Sequence, residues 1–350
     1  MEFQVIKILF LATFAFVFTV LWTPILTNFL YKNKLGKKIR NSGETPVFSS
    51  LHAHKAGTPT MGGILIWGTL FVFIMAFYYL SLIFPDSNIA YLNFLSQKET
   101  LLPLGALMAS ALIGLLDDWL DVSGKGSSGG GGLKMSHRLL VYTLIAIIGA
   151  LWFYFKLDWT SIHVPFLGFF EIGWWYIPVF IFIIVATSFS VNETDGLDGL
   201  AGGPLLFSFA SYGVIAFAMG RYDLATFCGV LVGALLAFLW FNIPPARFYM
   251  GDTGSMSLGV TLGIIAILTN NILILPFIGF VFLIESVSVI LQLSSKRIRK
   301  KKIFISAPIH HHFQACGWPE AKVVMRFWLI SAVAASIGLM IFLFDKTFVY

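Results

Sequence analysis

The stretch WWYIPVFIFIIVATSFSVNETDGLDGLAGGPLLFSFASYGVIAFAMG, residues 174 to 220, sets the acids Glu193, Asp195 and Asp198 between two long apolar runs. Runs of this length read as lipid-embedded helices. Ionisable groups beside hydrocarbon are costly enough to mark function. The fold turns on whether the rest of the chain is built the same way.

It is. Of 350 residues, 58% are hydrophobic and only 11% charged, against about 25% charged in soluble proteins. The mean hydropathy is +0.86. Apolar runs recur at 5–30, 62–84, 101–116, 139–155, 174–191, 200–219, 223–241, 254–270, 272–293 and 326–345. They predict an all-α polytopic integral membrane protein of about ten transmembrane helices, forming one membrane-embedded domain over residues 1–350. The eighth run is short. The ninth holds Pro276 and Glu285 and is expected to bend or break. The first run exceeds the ~7–15 residues of a signal-peptide core and no A-x-A site follows, so it reads as a retained helix. Cys228 and Cys316 give no disulfide framework.

A net charge of +6 raises nucleic acid as a partner, but the distribution of charge argues for a membrane instead. Of the 23 Lys and Arg, all but Lys7, Lys98, Lys156, Arg221 and Lys346 fall in or beside the odd-numbered loops. The odd loops are therefore expected in the cytoplasm and both termini outside it. Among the short even loops, only 156–173 has room for a small strand pair.

The unusual polar motifs all fall on the expected cytoplasmic side: HAHKAGTPTMGG (52–63), DDWLD (117–121), NETDGLDG (192–199), NIPPARFYMGDTGS (242–255) and APIHHHF (307–313). A transporter more often gathers its polar groups at the bilayer midplane. Groups at one surface suit an enzyme that joins a soluble substrate to a lipid. No P-loop and no G-x-S-x-G elbow occurs. What remains is carboxylates, a few cations, histidines and glycine-rich turns. Carboxylates at the water boundary suit Mg²⁺ shared with substrate phosphates, so the chemistry expected is phosphoryl transfer.

Blander readings stand beside this one. Asp117 and Asp118 could simply end the third helix at water, although acids there oppose its dipole. Asp195 and Asp198 would share a face if the sixth helix began at them, or could serve as N-caps. Gly62 and Gly63 suit close helix packing, and Pro244 and Pro245 a turn. Glu285 could be a paired structural acid. Zinc at His310, His311, His312 and Cys316 is disfavoured, because consecutive histidines diverge and no second ligand pair accompanies them. SGKGSSGGGG (123–132) reads as a linker. The run at 296–302 reads as a topology signal.

Together the stretches KAGTPTMGG, DDWLD, NETDGLDGLAGG, NIPPARFYMGDTGS, PIHHHF and GWPEAKVVMRFW resemble the phospho-N-acetylmuramoyl-pentapeptide transferases of bacterial cell-wall synthesis. They span residues 55–328 in the family's order. The resemblance implies a ten-helix homodimer in the bacterial inner membrane. It implies transfer of phospho-MurNAc-pentapeptide from UDP-MurNAc-pentapeptide to undecaprenyl phosphate, with UMP released and Mg²⁺ as cofactor. By motif, Asp117 and Asp118 match the aspartates near the lipid phosphate. Asp252 matches the magnesium-associated aspartate, with Asp117, Asp118 and Asp195 as further candidate ligands. Asn192, Asp195 and Asp198 match the nucleoside region, and Lys55, Thr60, Asn242 and Tyr249 match residues around the uridine. His310 and His311 match catalytic-site histidines, with His312 a structural neighbour and a candidate substrate contact. The sequence departs from the family in Tyr249 (often Phe), in Gln314 (usually Glu) and in the glycine-rich loop after DDWLD. Which of Lys125, Lys134 and Arg138 meets a phosphate there is left open. The rivals are a sister enzyme that moves another sugar 1-phosphate and, from another class, a transporter. The signature of CDP-alcohol phosphotransferases is absent.

Overall fold

The computed structural model describes residues 1–36, 57–125 and 132–348. The chain is a multi-pass membrane protein built almost wholly of helices. They are α1 (Glu2–Lys32), α2 (Ile64–Ile83), α3 (Leu101–Ser123), α4 (Met135–Lys156), α5 (Tyr176–Thr194), α6 (Gly202–Ala218), α7 (Tyr222–Asn242), α8 (Asp252–Leu268), α9 (Leu275–Ile278), α10 (Phe280–Arg299), α11 (Ile309–Ala315) and α12 (Glu320–Phe348). Among the described residues, seven helices are long and apolar enough to cross a membrane. The segments Ile272–Ile278 and Phe280–Arg299, bent by 85° to one another, make an eighth when counted as one span. The break falls at Gly279, whose φ of −98° and ψ of 29° leave the helical region, just after Pro276 in the first turn of α9.

Burial explains the two shorter apolar helices. α6 and α8 have 17 residues each, about 26 Å of rise at 1.5 Å per residue against a hydrocarbon core of roughly 30 Å. α8 is buried from Thr253 to Leu268, so protein rather than lipid surrounds it. It packs on α3 and α5, and α7 packs on α1 and α6. Gly114 lets α3 approach closely: a Cβ there would lie 2.4 Å from the carbonyl oxygen of Asp252. Gly63 does the same for α2, where a Cβ would lie 2.3 Å from Gly254 Cα, as close packing requires.

The outer surface is apolar. Leu21, Ile25, Ile148, Phe182 and Trp240 are all about 70% or more exposed, which is favourable only against lipid. α10 makes the inversion explicit. Its buried face carries Glu285, Ser286, Ser288, Gln292 and Ser295, while Leu283, Val287, Ile290 and Leu293 face out.

Two helix boundaries differ from the sequence expectation. The third apolar run stops at 116, yet α3 continues to Ser123, so DDWLD forms its last turns rather than opening a loop. Apolarity ends at the first carboxylate, but the helix does not, because Asp117, Asp118 and Asp121 turn inward. Gly124, in the left-handed region, then terminates it. α6 begins at Gly202, so Asp195 and Asp198 occupy a turn and do not share a helical face. The strand pair expected in 156–173 is present: β1 (Ser161–Val164) pairs antiparallel with β2 (Gly168–Glu171).

Candidate active site

The C-terminal ends of α3 and α5 and the N-terminal ends of α4 and α8 meet at one end of the bundle. Arg138, in the first turns of α4, joins them. Its Nε lies 2.8 Å from Asp117 Oδ2 and its Nη2 lies 2.7 Å from Asp252 Oδ2. One guanidinium thus holds two carboxylates that would otherwise repel. Asp117 is fully buried, and its Oδ1 accepts the backbone N–H of Leu133 at 2.6 Å. Asn192, at the end of α5, completes the group. Its Nδ2 donates to Asp252 Oδ1 at 2.5 Å and to Ser255 Oγ at 2.9 Å, and its Oδ1 accepts from Arg138 Nη1 at 3.3 Å.

Asp118 has a different setting from its neighbour. Its Oδ1 accepts from Thr60 Oγ1 and from the backbone N–H of Asp252, each at 3.1 Å, and its Oδ2 accepts from the N–H of Thr253 at 3.0 Å. It therefore caps the first turn of α8 from another helix, at the positive end of the α8 dipole. Gly251 is required beside it. Its φ is +75°, and a Cβ would lie 2.5 Å from Asp118 Oδ2. Thr60, expected near a uridine, is buried against this cap.

A second group lies in the 195–203 and 242–250 turns. Asn242 Oδ1 accepts the N–H of Gly199 at 2.9 Å, and its Nδ2 donates to the carbonyl of Phe248 at 2.8 Å. Asp198 Oδ2 accepts the N–H of Ala246 at 3.0 Å, and the Asp198 N–H donates to Glu320 Oε1 at 2.9 Å. These bonds tie the two turns together. Tyr249 is half-buried beside them, its hydroxyl bonded to the Thr58 side chain, with Asp198, Glu320 and Asp195 near. Burial pushes its phenol up to about 12. Asp195 is the C-cap of α5.

The histidines of α11 diverge, as expected of consecutive residues. His310 Nδ1 lies 2.9 Å from Glu285 Oε2, with both side chains fully buried. His311 Nδ1 lies 2.9 Å from Gln314 Oε1, so the glutamine that departs from the family pattern is its partner. His312 points away, its Nδ1 accepting the N–H of Ile305 at 3.3 Å. The His310 ring meets Gly196, where a Cβ would lie 2.4 Å from Nε2. This contact joins the histidine helix to the acidic turn. Lys55 lies outside the described residues.

The sequence left Arg138 unresolved among three cations and read Glu285 only as a possible structural acid. No local pattern marks either, since their partners lie on other helices. Glu320 lies in the resembling stretch GWPEAKVVMRFW, but nothing there singles it out. Among the described residues, no group of three or more His, Cys, Asp or Glu side chains could hold a metal. Asp252, partly exposed at the start of α8, does offer a carboxylate, the hard oxygen donor that Mg²⁺ takes when substrate phosphates complete its shell.

The family model described as Glycosyl transferase family 4 matches residues 100–270. The phospho-N-acetylmuramoyl-pentapeptide-transferase signature 1 matches residues 55–66. Among curated relatives, the phospho-N-acetylmuramoyl-pentapeptide-transferase of Chloroflexus aggregans is 38% identical over 346 residues, covering 95% of this chain and 89% of its own length. The protein of that name from Pelagibacter ubique is 39% identical, covering 93% and 90%. The one from a Geobacillus strain is 37% identical, covering 93% and 95%.

Proposed function

Because the chain belongs to the phospho-N-acetylmuramoyl-pentapeptide-transferase family, we propose that it transfers phospho-MurNAc-pentapeptide from UDP-MurNAc-pentapeptide to undecaprenyl phosphate, releasing UMP. The observation that carries this reading is the Asp117–Arg138–Asp252 bridge at the end of four helices. It sets a buried carboxylate and a cation together at one end of the helix bundle, where a lipid phosphate and a nucleotide diphosphate would meet.

Asp117 is the residue we assign to the acceptor phosphate, as proton acceptor or nucleophile. Asp118 is less suited, because its carboxylate is committed to capping α8, whereas Asp117 Oδ2 lies against the Arg138 cation. Arg138 balances the charge of the two carboxylates and can turn toward phosphate oxygens when they arrive. Asp252 would hold Mg²⁺ together with the substrate phosphates. The ion, when bound, neutralises charge that develops on the leaving phosphate. Asn192 keeps Asp252 oriented. The turns at 195–203 and 242–250 would receive the uridine, with Tyr249 as a stacking surface. The protein is expected in the bacterial inner membrane as a homodimer, with the site in the cytoplasm and both termini outside.

The test is UMP release by purified protein in detergent with Mg²⁺, given UDP-MurNAc-pentapeptide or UDP-GlcNAc and undecaprenyl phosphate. Turnover with the first donor and none with the second is expected. Turnover with UDP-GlcNAc alone would transfer the protein to the sister activity.

A further inference from the structure

We infer that Glu285 is a positioning residue for the transfer reaction, holding His310 so that its Nε2 faces an oxygen of the sugar-linked diphosphate. The inference rests on the transferase reading above. It starts from two atoms left over in a closed environment. Glu285 and His310 are fully buried and joined through Nδ1 and Oε2 at 2.9 Å. Among the described residues, His310 Nε2 has no hydrogen-bond partner, and neither has Glu285 Oε1. Buried polar atoms are nearly always paired, and an exception calls for a reason.

Geometry supplies the reason. Nε2 is directed at Gly196, between Asp195 and Asp198 in the turn assigned to the nucleotide. Glu193, at the end of α5, lies within electrostatic reach of His310, Arg138, Asp252 and Glu285, so the histidine and the Arg138 bridge lie at the same end of the bundle. A pair serving only the fold is expected to satisfy both ring nitrogens. Here, among the described residues, only Nδ1 is satisfied. A carboxylate on Nδ1 fixes the ring orientation and keeps a proton on that nitrogen. Nε2 is left to act on substrate, the arrangement by which a carboxylate sets a histidine tautomer in other active sites. Glu285 sits six residues beyond Gly279, so the bend of α10 sets where this carboxylate meets α11.

The decisive experiment is steady-state UMP release from UDP-MurNAc-pentapeptide by wild type, Glu285→Gln, His310→Ala and the double variant, with thermal unfolding measured for each. Gln is nearly isosteric, but its NH2 can donate to Nδ1 and force the proton onto Nε2. Loss of an orienting partner typically costs about 10–100-fold. The expected result is a kcat loss of that size for Glu285→Gln, with KM for the nucleotide sugar unchanged. The double variant should be no slower than His310→Ala. A wild-type kcat in Glu285→Gln, a loss carried by KM, or losses that multiply in the double variant would overturn the inference. So would a Glu285→Gln protein that fails to fold while His310→Ala folds, since the pair would then serve structure. If wild type itself releases no UMP, the transferase reading fails and this inference falls with it.

Discussion

Asp118 caps the helix that begins at Asp252. Its two carboxylate oxygens accept the backbone N–H groups of Asp252 and Thr253 at 3.1 and 3.0 Å. Asp252, though in the first turn of α8, is thereby released from capping its own helix. Its carboxylate reaches Arg138 and Asn192 instead. Two adjacent aspartates on α3 consequently do different work: Asp117 faces the cation, and Asp118 builds the helix end.

That division predicts opposite phenotypes. Asp118→Ala strands two N–H groups and the Thr60 hydroxyl. Each unsatisfied buried donor costs about 1–3 kcal/mol, so a clear fall in the unfolding temperature in detergent is expected. Asp252→Asn should unfold close to wild type. The reverse order of stabilities would remove Asp118 from its capping role.

Arg138 is the hinge of the candidate site. Arg138→Ala leaves Asp117 and Asp252 facing each other without a counter-charge, and UMP release should fall at least about 100-fold, or ~2.7 kcal/mol of barrier. Arg138→Lys should restore only part of it, because an ammonium cannot span two carboxylates as a planar fork does. Equal turnover in Arg138→Lys and wild type would show that charge alone is needed.

These relationships show where the sequence was legible. Hydrophobic runs located the helices, because each must meet lipid or an apolar neighbour along its length. Pro276 marked the break before α10, and the length of the 156–173 loop left room for the hairpin. The extension of α3 was hidden, since its last turns carry carboxylates that a hydropathy count reads as loop. Motif resemblance brought Asp117, Asp118 and Asp252 to notice as a set, but not which one caps a helix. That distinction depends on α8 arriving beside α3 at Gly114. The pairings of Arg138 and Glu285 were likewise invisible, because tertiary packing alone brings their partners to them.

Tyr249 is expected to act through its ring. Tyr249→Phe should bind the UDP-sugar as wild type does, and Tyr249→Ala more weakly, by about 1–3 kcal/mol if stacking resembles that on single-stranded bases. Burial raises the phenol to about 12, so the hydroxyl stays protonated across an assay range up to about pH 10. Tyr249→Phe should therefore also leave the pH profile of UMP release unchanged. Equal affinities in the Phe and Ala variants would exclude stacking.

Topology can be read from the two cysteines. Cys316 is exposed and Cys228 buried. With the α10–α12 connection in the cytoplasm, Cys316 should resist a membrane-impermeant thiol reagent in intact cells and react after permeabilisation. Labelling from outside, with cell integrity verified, would invert the proposed orientation.

The central claim is that Asp252 and Asp117 do the chemistry in different ways, one through the metal and one through the acceptor phosphate. It is tested most directly by UMP release measured against Mg²⁺ concentration for wild type, Asp252→Asn and Asp117→Asn, after thermal unfolding confirms that all three are folded. The predicted result is a loss of at least about 100-fold in both variants. Excess Mg²⁺ should recover part of the rate in Asp252→Asn and none in Asp117→Asn. A folded Asp252→Asn protein with near wild-type turnover at limiting Mg²⁺ would contradict the account.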